Sequence, residues 1–226
     1  MAAERERGRD LMLRTRYMIL RKTPFQESGL IVAGISPDYG RLDFLWKGGR
    51  RIGAKKFPEA GLFREFAIEF RDPGNRSGGL LGMSSCEMIV LHDRIAGDLE
   101  NYLAVCEQAS FLLRHSRPML EMPLVYGAFR NMLFHLEGVE GSSRYFWQML
   151  VKLVFLHEGG LIPEERVDDS GEGVCSSLDS RRSAVLRRLI AFAVGGSGGE
   201  IKGISSEYLR RLSTWVDALC SYHSLK

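Results

Sequence analysis

The chain predicts an α+β fold: a five-stranded β-barrel followed by an α-helical bundle. Two observations carry that prediction. As far as His92, short runs of apolar and β-favouring residues, several of them alternating with polar ones, are separated by Gly- and Pro-containing turns; beyond it, apolar residues recur at i, i+3 and i+4. At 226 residues the chain is long enough for two modest cores.

The first strand is expected at residues 16–20 and the second, well buried, at 30–35. Thr23-Pro24-Phe25-Gln26-Glu27-Ser28-Gly29 supplies the turn between them. Pro37-Asp38-Tyr39-Gly40 is a second turn, because Pro fixes φ and Gly tolerates positive φ. The third strand alternates, with Leu42, Phe44 and Trp46 on one face and Arg41, Asp43, Leu45 and Lys47 on the other. The fourth, 63–70, sets Phe66, Ile68 and Phe70 against Glu65, Ala67 and Glu69. A glycine-rich turn at 72–79 leads into a fifth strand at 80–91. Five short strands in this length suit a small closed or nearly closed barrel.

Helices are expected at 98–113, 124–136, 143–157, 179–193 and 205–222. The first carries Leu99, Tyr102, Leu103, Cys106, Ala109 and Leu113 as its apolar stripe, the third Phe146, Met149, Leu150, Leu153 and Val154, and the last Tyr208, Leu212, Trp215, Leu219 and Tyr222. The resulting division is a flexible tail at 1–12, a barrel at 13–92 and a helical domain at 93–226 with an irregular loop at 159–178. Met12 is an alternative start. The tail has mixed charges and no apolar stretch, so it does not read as a signal peptide. No apolar run approaches the roughly 20 residues that span a bilayer, and the expected location is the cytoplasm.

Charge is unevenly spread. Positions 13–85 hold 13 Lys/Arg against 7 Asp/Glu, a net +6 in a chain whose total is +3, and the remainder from Cys86 onward is net −3. A basic front half on a mildly acidic back half points the front half toward a polyanion. The densest segment is Trp46-Lys47-Gly48-Gly49-Arg50-Arg51-Ile52-Gly53-Ala54-Lys55-Lys56-Phe57. Its glycines let backbone approach a phosphate closely, and its arginines can fork onto phosphate oxygens. Such barrels bind oligonucleotides across strands two and three and the loops beside them, which is where this segment begins. Lys47, Arg50, Arg51, Lys55 and Lys56 are therefore expected to meet the polyanion, with Arg14, Arg16, Arg21, Lys22 and Arg41 as further contributors. Neutralising about four single-strand phosphates would give a salt slope of about −3. Phe44 and Trp46 flank the segment as possible base platforms, although their face is the more apolar and reads as core.

Arg16-Tyr17-Met18-Ile19-Leu20-Arg21-Lys22, continued by Glu27-Ser28-Gly29-Leu30-Ile31-Val32, resembles the opening of RecO proteins. So does the turn Ser36-Pro37-Asp38-Tyr39-Gly40-Arg41-Leu42, followed by Lys47-Gly48-Gly49-Arg50-Arg51, Lys55-Lys56 and Phe66-Ala67-Ile68-Glu69-Phe70. The likeness covers the barrel region and is weak in the helices. It implies an OB-fold that binds single- and double-stranded DNA, anneals strands and acts in the RecF pathway of DNA repair and recombination. With RecR, it would help RecA load onto DNA coated by single-stranded DNA-binding protein. The acidic, apolar tail of that coating protein would dock on the helical domain, where Arg181, Arg182, Arg187 and Arg188 beside Leu186, Leu189 and Ile190 offer a basic and apolar mix.

Many RecO proteins hold zinc with four cysteines in the long helical-domain loop. This chain departs from them, with Cys175 alone in that loop, so no metal and no cofactor are expected. Cys86, Cys106, Cys175 and Cys220 contain no C-x-x-C pair and read as reduced thiols. The histidines show no H-E-x-x-H pattern, and neither a Walker loop nor G-x-S-x-G occurs, so no catalytic activity is expected. Two other readings stay open: an OB-fold RNA-binding protein of the translation machinery, and an interaction adaptor that binds no nucleic acid.

Overall fold

The computed structural model describes residues 11–50, 57–72, 74, 79–138, 143–163, 180–195 and 203–225. Its strands are β1 (Met12–Phe25), β2 (Gly29–Ser36), β3 (Gly40–Trp46), β4 (Glu65–Arg71) and β5 (Leu81–Val90). The helices are α1 (Leu99–His115), α2 (Pro123–Gly138), α3 (Arg144–Glu158), α4 (Ser180–Gly195) and α5 (Ser206–Tyr222), with a 3-10 turn at Asp93–Gly97. The chain is thus the expected α+β protein, an OB-type barrel followed by helices.

Two compact units result. One comprises Met1–Leu91 with Ser116–Glu121, the other His92–His115 with Met122–Lys226. Ser116–Glu121 of the α1–α2 connection, with Pro118, thus belongs to the barrel unit. There the Arg41 N–H donates to Arg117 O at 3.2 Å. Gly40 makes this approach possible: its φ is +60°, and a Cβ there would sit 2.3 Å from Leu120 O.

The barrel closes in the order β1-β2-β3-β5-β4. All pairings are antiparallel except β3–β5, which is parallel and joins only Phe44 to Leu81 and Leu45 to Gly82. β1 serves two neighbours, pairing with β4 through residues 12–18 and with β2 through 18–25. A bulge at Leu20, where the register shifts between Ile19 and Arg21, lies at this change of partner.

β1 is longer than residues 16–20. It begins inside the segment read as a tail, with Met12 opposite Arg71, and runs through the segment read as a turn, with Pro24 opposite Leu30. Proline is tolerated because β4 no longer lines the other edge there, so its missing N–H costs no bond on that side. The turn proper is only Gln26–Glu27–Ser28.

The barrel interior is aromatic. Tyr17, Phe44, Phe66 and Phe70 are fully buried and Trp46 is 1% exposed. Their rings meet edge-on, Tyr17–Phe44 at 5.1 Å, Phe44–Phe70 at 5.4 Å and Trp46–Phe66 at 5.3 Å, each such pair contributing about 0.5–1.5 kcal/mol beyond its burial. The Tyr17 hydroxyl donates to Leu42 O and Val32 O at 3.1 and 3.2 Å, so its buried oxygen is satisfied. Burial, with Asp43 nearby, holds its pKa well above the usual phenol range.

In the helical unit α3 packs against α1, α2, α4 and α5. Trp147, Leu150, Val151, Leu153, Val154 and Leu156 are buried around its circumference, as a central helix requires. Tertiary caps join the bundle. The Glu158 carboxylate at the end of α3 accepts from Leu124 N and Val125 N at 2.9 and 2.8 Å, satisfying the start of α2. Asn131 Nδ2 donates to Ala193 O and Val194 O at 2.8 and 2.9 Å, closing the end of α4.

The inward face of α1 keeps Ala109 and Leu113 of the expected stripe but departs from it in the first half of the helix. Val105, Gln108, Ala109 and Leu112 are buried, whereas Leu99 and Leu103 are 70% and 57% exposed. The helix is apolar on two sides, so periodicity alone could not choose between them. On α5, Leu212 and Leu219 are buried as expected but Tyr222 is exposed.

Candidate nucleic-acid interface

The register brings the end of β3 beside the β1–β2 turn. Trp46 lies opposite Leu30, and Leu30 opposite Pro24. The backbone then turns at Lys47–Arg50, with Gly48 at φ +71°. This turn docks on the hairpin: the Arg50 N–H donates to Ser28 O at 3.1 Å and the Arg50 guanidinium to Gln26 O at 3.5 Å. Lys47 and Arg50 are exposed, as are Arg21 and Lys22 on the emerging arm of β1. None of these four makes an ion pair among the described residues. Arg51, Lys55 and Lys56 lie outside the described residues.

The other three named cations are differently situated. Arg14 faces Glu69 at 4.0 Å, Arg16 faces Glu65 at 3.4 Å and Arg41 meets Asp43 at 2.8 Å. Arg14 and Arg16 lie on the outward face of β1 and β4, each diagonal or opposite to a carboxylate of β4 in the register. Glu65 is completely buried, so Arg16 neutralises a charge that water cannot reach.

The β2–β3 outer face is not a cationic groove. Its β2 residues Ala33 and Ile35 are buried and Ile31 is half-buried. On β3, Arg41 and Asp43 pair with each other. Phe44 and Trp46 sit in the core and offer no stacking surface. Half-buried Phe25, at the hairpin tip, is the aromatic nearest the cations along β1. Tyr39 lies edge-on to Phe70 at 5.5 Å, and its hydroxyl is pushed up by burial and by Asp38.

In the helical unit a cavity of about 510 Å³ opens among α3, α4 and α5. Tyr145, Phe146, Met149, Phe192 and Leu209 line it, with Arg210 as its cation. Of the arginines singled out on α4, Arg182, Arg187 and Arg188 are exposed, while Leu186 and Leu189 are buried. Composition pointed to α4, but Tyr145 and Arg210 come from helices whose convergence no local pattern announces.

Among the described residues no three His, Cys, Asp or Glu side chains gather where they could hold a metal. Cys175 lies outside them. Cys220 is buried, and the His223 ring meets Leu161 O at 3.1 Å, so both have packing or hydrogen-bonding roles. Burial pushes the Cys86 thiol up to about 12. No described helix is long and apolar enough to cross a membrane. No protein-family model matches the chain, and no curated protein matches it.

Proposed function

We propose that the protein binds single- and double-stranded DNA through the hairpin end of its barrel and acts as a recombination mediator of the RecO type. One observation carries the reading. Lys47 and Arg50, in the turn docked on the β1–β2 hairpin of an OB-type barrel, and Arg21 and Lys22, on the β1 arm of that hairpin, are exposed without carboxylate partners among the described residues. Unpaired cations release counterions when they meet phosphates, which drives binding with little regard to base sequence. With the barrel aromatics turned inward, interactions with sugar and phosphate dominate, and annealing follows from screening two mutually repelling strands on one surface.

In this reading RecR and the coating protein are partners, and RecA acts downstream of them. The apolar cavity with Arg210 suits the acidic, apolar tail of the single-stranded DNA-binding protein. No catalytic step, metal or cofactor is invoked, and the protein works in the cytoplasm in association with the nucleoid.

A strand-annealing assay tests this, using complementary oligonucleotides with and without the coating protein. Faster annealing in both conditions is expected. A chain that retards no nucleic acid at low salt would instead be an adaptor. A clear preference for RNA over DNA of equal length would favour the translation-machinery reading.

A further inference from the structure

We infer that the turn Lys47–Arg50 is a built seat for a single backbone phosphate, held rigid from behind by the β1–β2 hairpin. The inference rests on the nucleic-acid reading and assigns the described part of that interface.

Three observations converge. First, the amide N–H groups of Gly48 and Gly49 donate to no acceptor among the described residues, and both residues are half-exposed. Consecutive amides that meet no acceptor among the described residues, in a turn with a left-handed residue, here Gly48 at φ +71°, make the kind of concave donor array that binds anions. Second, the array is flanked by two cations of different kinds. Lys47 supplies a point charge. Arg50 supplies a guanidinium whose tether to Gln26 O uses one nitrogen and leaves the others available.

Third, the turn cannot drift. The Arg50 backbone is bonded to Ser28 O, and Gly49 lies so close to the barrel wall that a Cβ there would stand 2.9 Å from Leu30 Cδ1 and 3.2 Å from Trp46 Cδ1. Trp46 is itself wedged edge-on against Phe57 at 5.9 Å and Phe66 at 5.3 Å. The amides are therefore oriented before a ligand arrives, and little ordering entropy is spent at binding. Gly49 is a positioning residue. It carries no charge, yet its lack of a side chain fixes where the donors stand. The ligand is a phosphodiester, and the seat is indifferent to the base it carries.

The test uses the full chain and two dodecamers, oligo-dT and its uncharged methylphosphonate analogue, followed by amide NMR. The Gly48 and Gly49 amide protons should move downfield with oligo-dT and stay in place with the analogue. Gly49→Val should weaken oligo-dT binding roughly tenfold, about one charge-assisted hydrogen bond. Adding Leu30→Ala, which makes room for the new side chain, should restore most of it. Static Gly48 and Gly49 amides in a complex that still forms would overturn the seat while leaving the DNA reading standing. So would wild-type affinity in folded Gly49→Val. If the unaltered chain binds neither strand at low salt, the seat and the reading both fall.

Discussion

The hairpin end of the barrel and the outward face of β1–β4 both carry basic side chains but differ in how those charges are balanced. On β1–β4, Arg14 and Arg16 face Glu69 and Glu65. On the β1–β2 hairpin and the turn docked on it, Arg21, Lys22, Lys47 and Arg50 are exposed, and among the described residues Arg50 bonds to neutral carbonyl groups. A cation already paired with a carboxylate must give up that partner to take a phosphate, whereas an unpaired one gives up only water and mobile ions. The difference teaches that binding capacity follows pairing rather than the number of basic residues.

The largest effect should come from stripping the basic sequence segment that follows β3. Replacing Arg50, Arg51, Lys55 and Lys56 together by Ala should take the salt slope for single-stranded DNA from about −3 toward zero, at about 0.7 for each phosphate that is no longer neutralised. Thermal unfolding should barely move. An unchanged slope, measured by fluorescence anisotropy across a salt series, would break the comparison.

Arg16→Ala should do the reverse. It leaves Glu65 charged and buried without this partner, costing about 1–2 kcal/mol, which for a chain of this size is a Tm lower by roughly 3–6 °C. The salt slope should stay within error. A normal Tm with a flattened slope would mean that Arg16 touches DNA.

Glu69→Ala sharpens the same point from the other side. Freeing Arg14 from its partner should steepen the slope by at most about 0.7, a small gain in affinity at low salt. The smallest effect is expected for Arg14→Ala, which removes an exposed pair; stability should change by less than about 1 kcal/mol in a denaturant titration, with binding nearly untouched.

Much of this was legible in residue order. The alternation of Leu42, Phe44 and Trp46, and of Phe66, Ile68 and Phe70, specified which face would be core, because a strand puts every second side chain on one side. The helices fell close to their expected bounds. The basic turn after β3 was visible as composition. Less legible were the reach of β1 through Pro24 and the inward face of the first half of α1. Strand pairing overrode a local turn signal in the first case. In the second, two apolar faces competed and neighbouring helices decided.

The sequence by itself determined the order of strands and helices, the aromatic interior of the barrel and the concentration of positive charge beside β3, since periodicity and composition are local properties. Only the tertiary structure decided which cations are spent on Glu65, Glu69 and Asp43, and that Gly49 and Arg50 dock against the β1–β2 hairpin. Those outcomes depend on strand register and on packing between residues many positions apart, which no local pattern encodes.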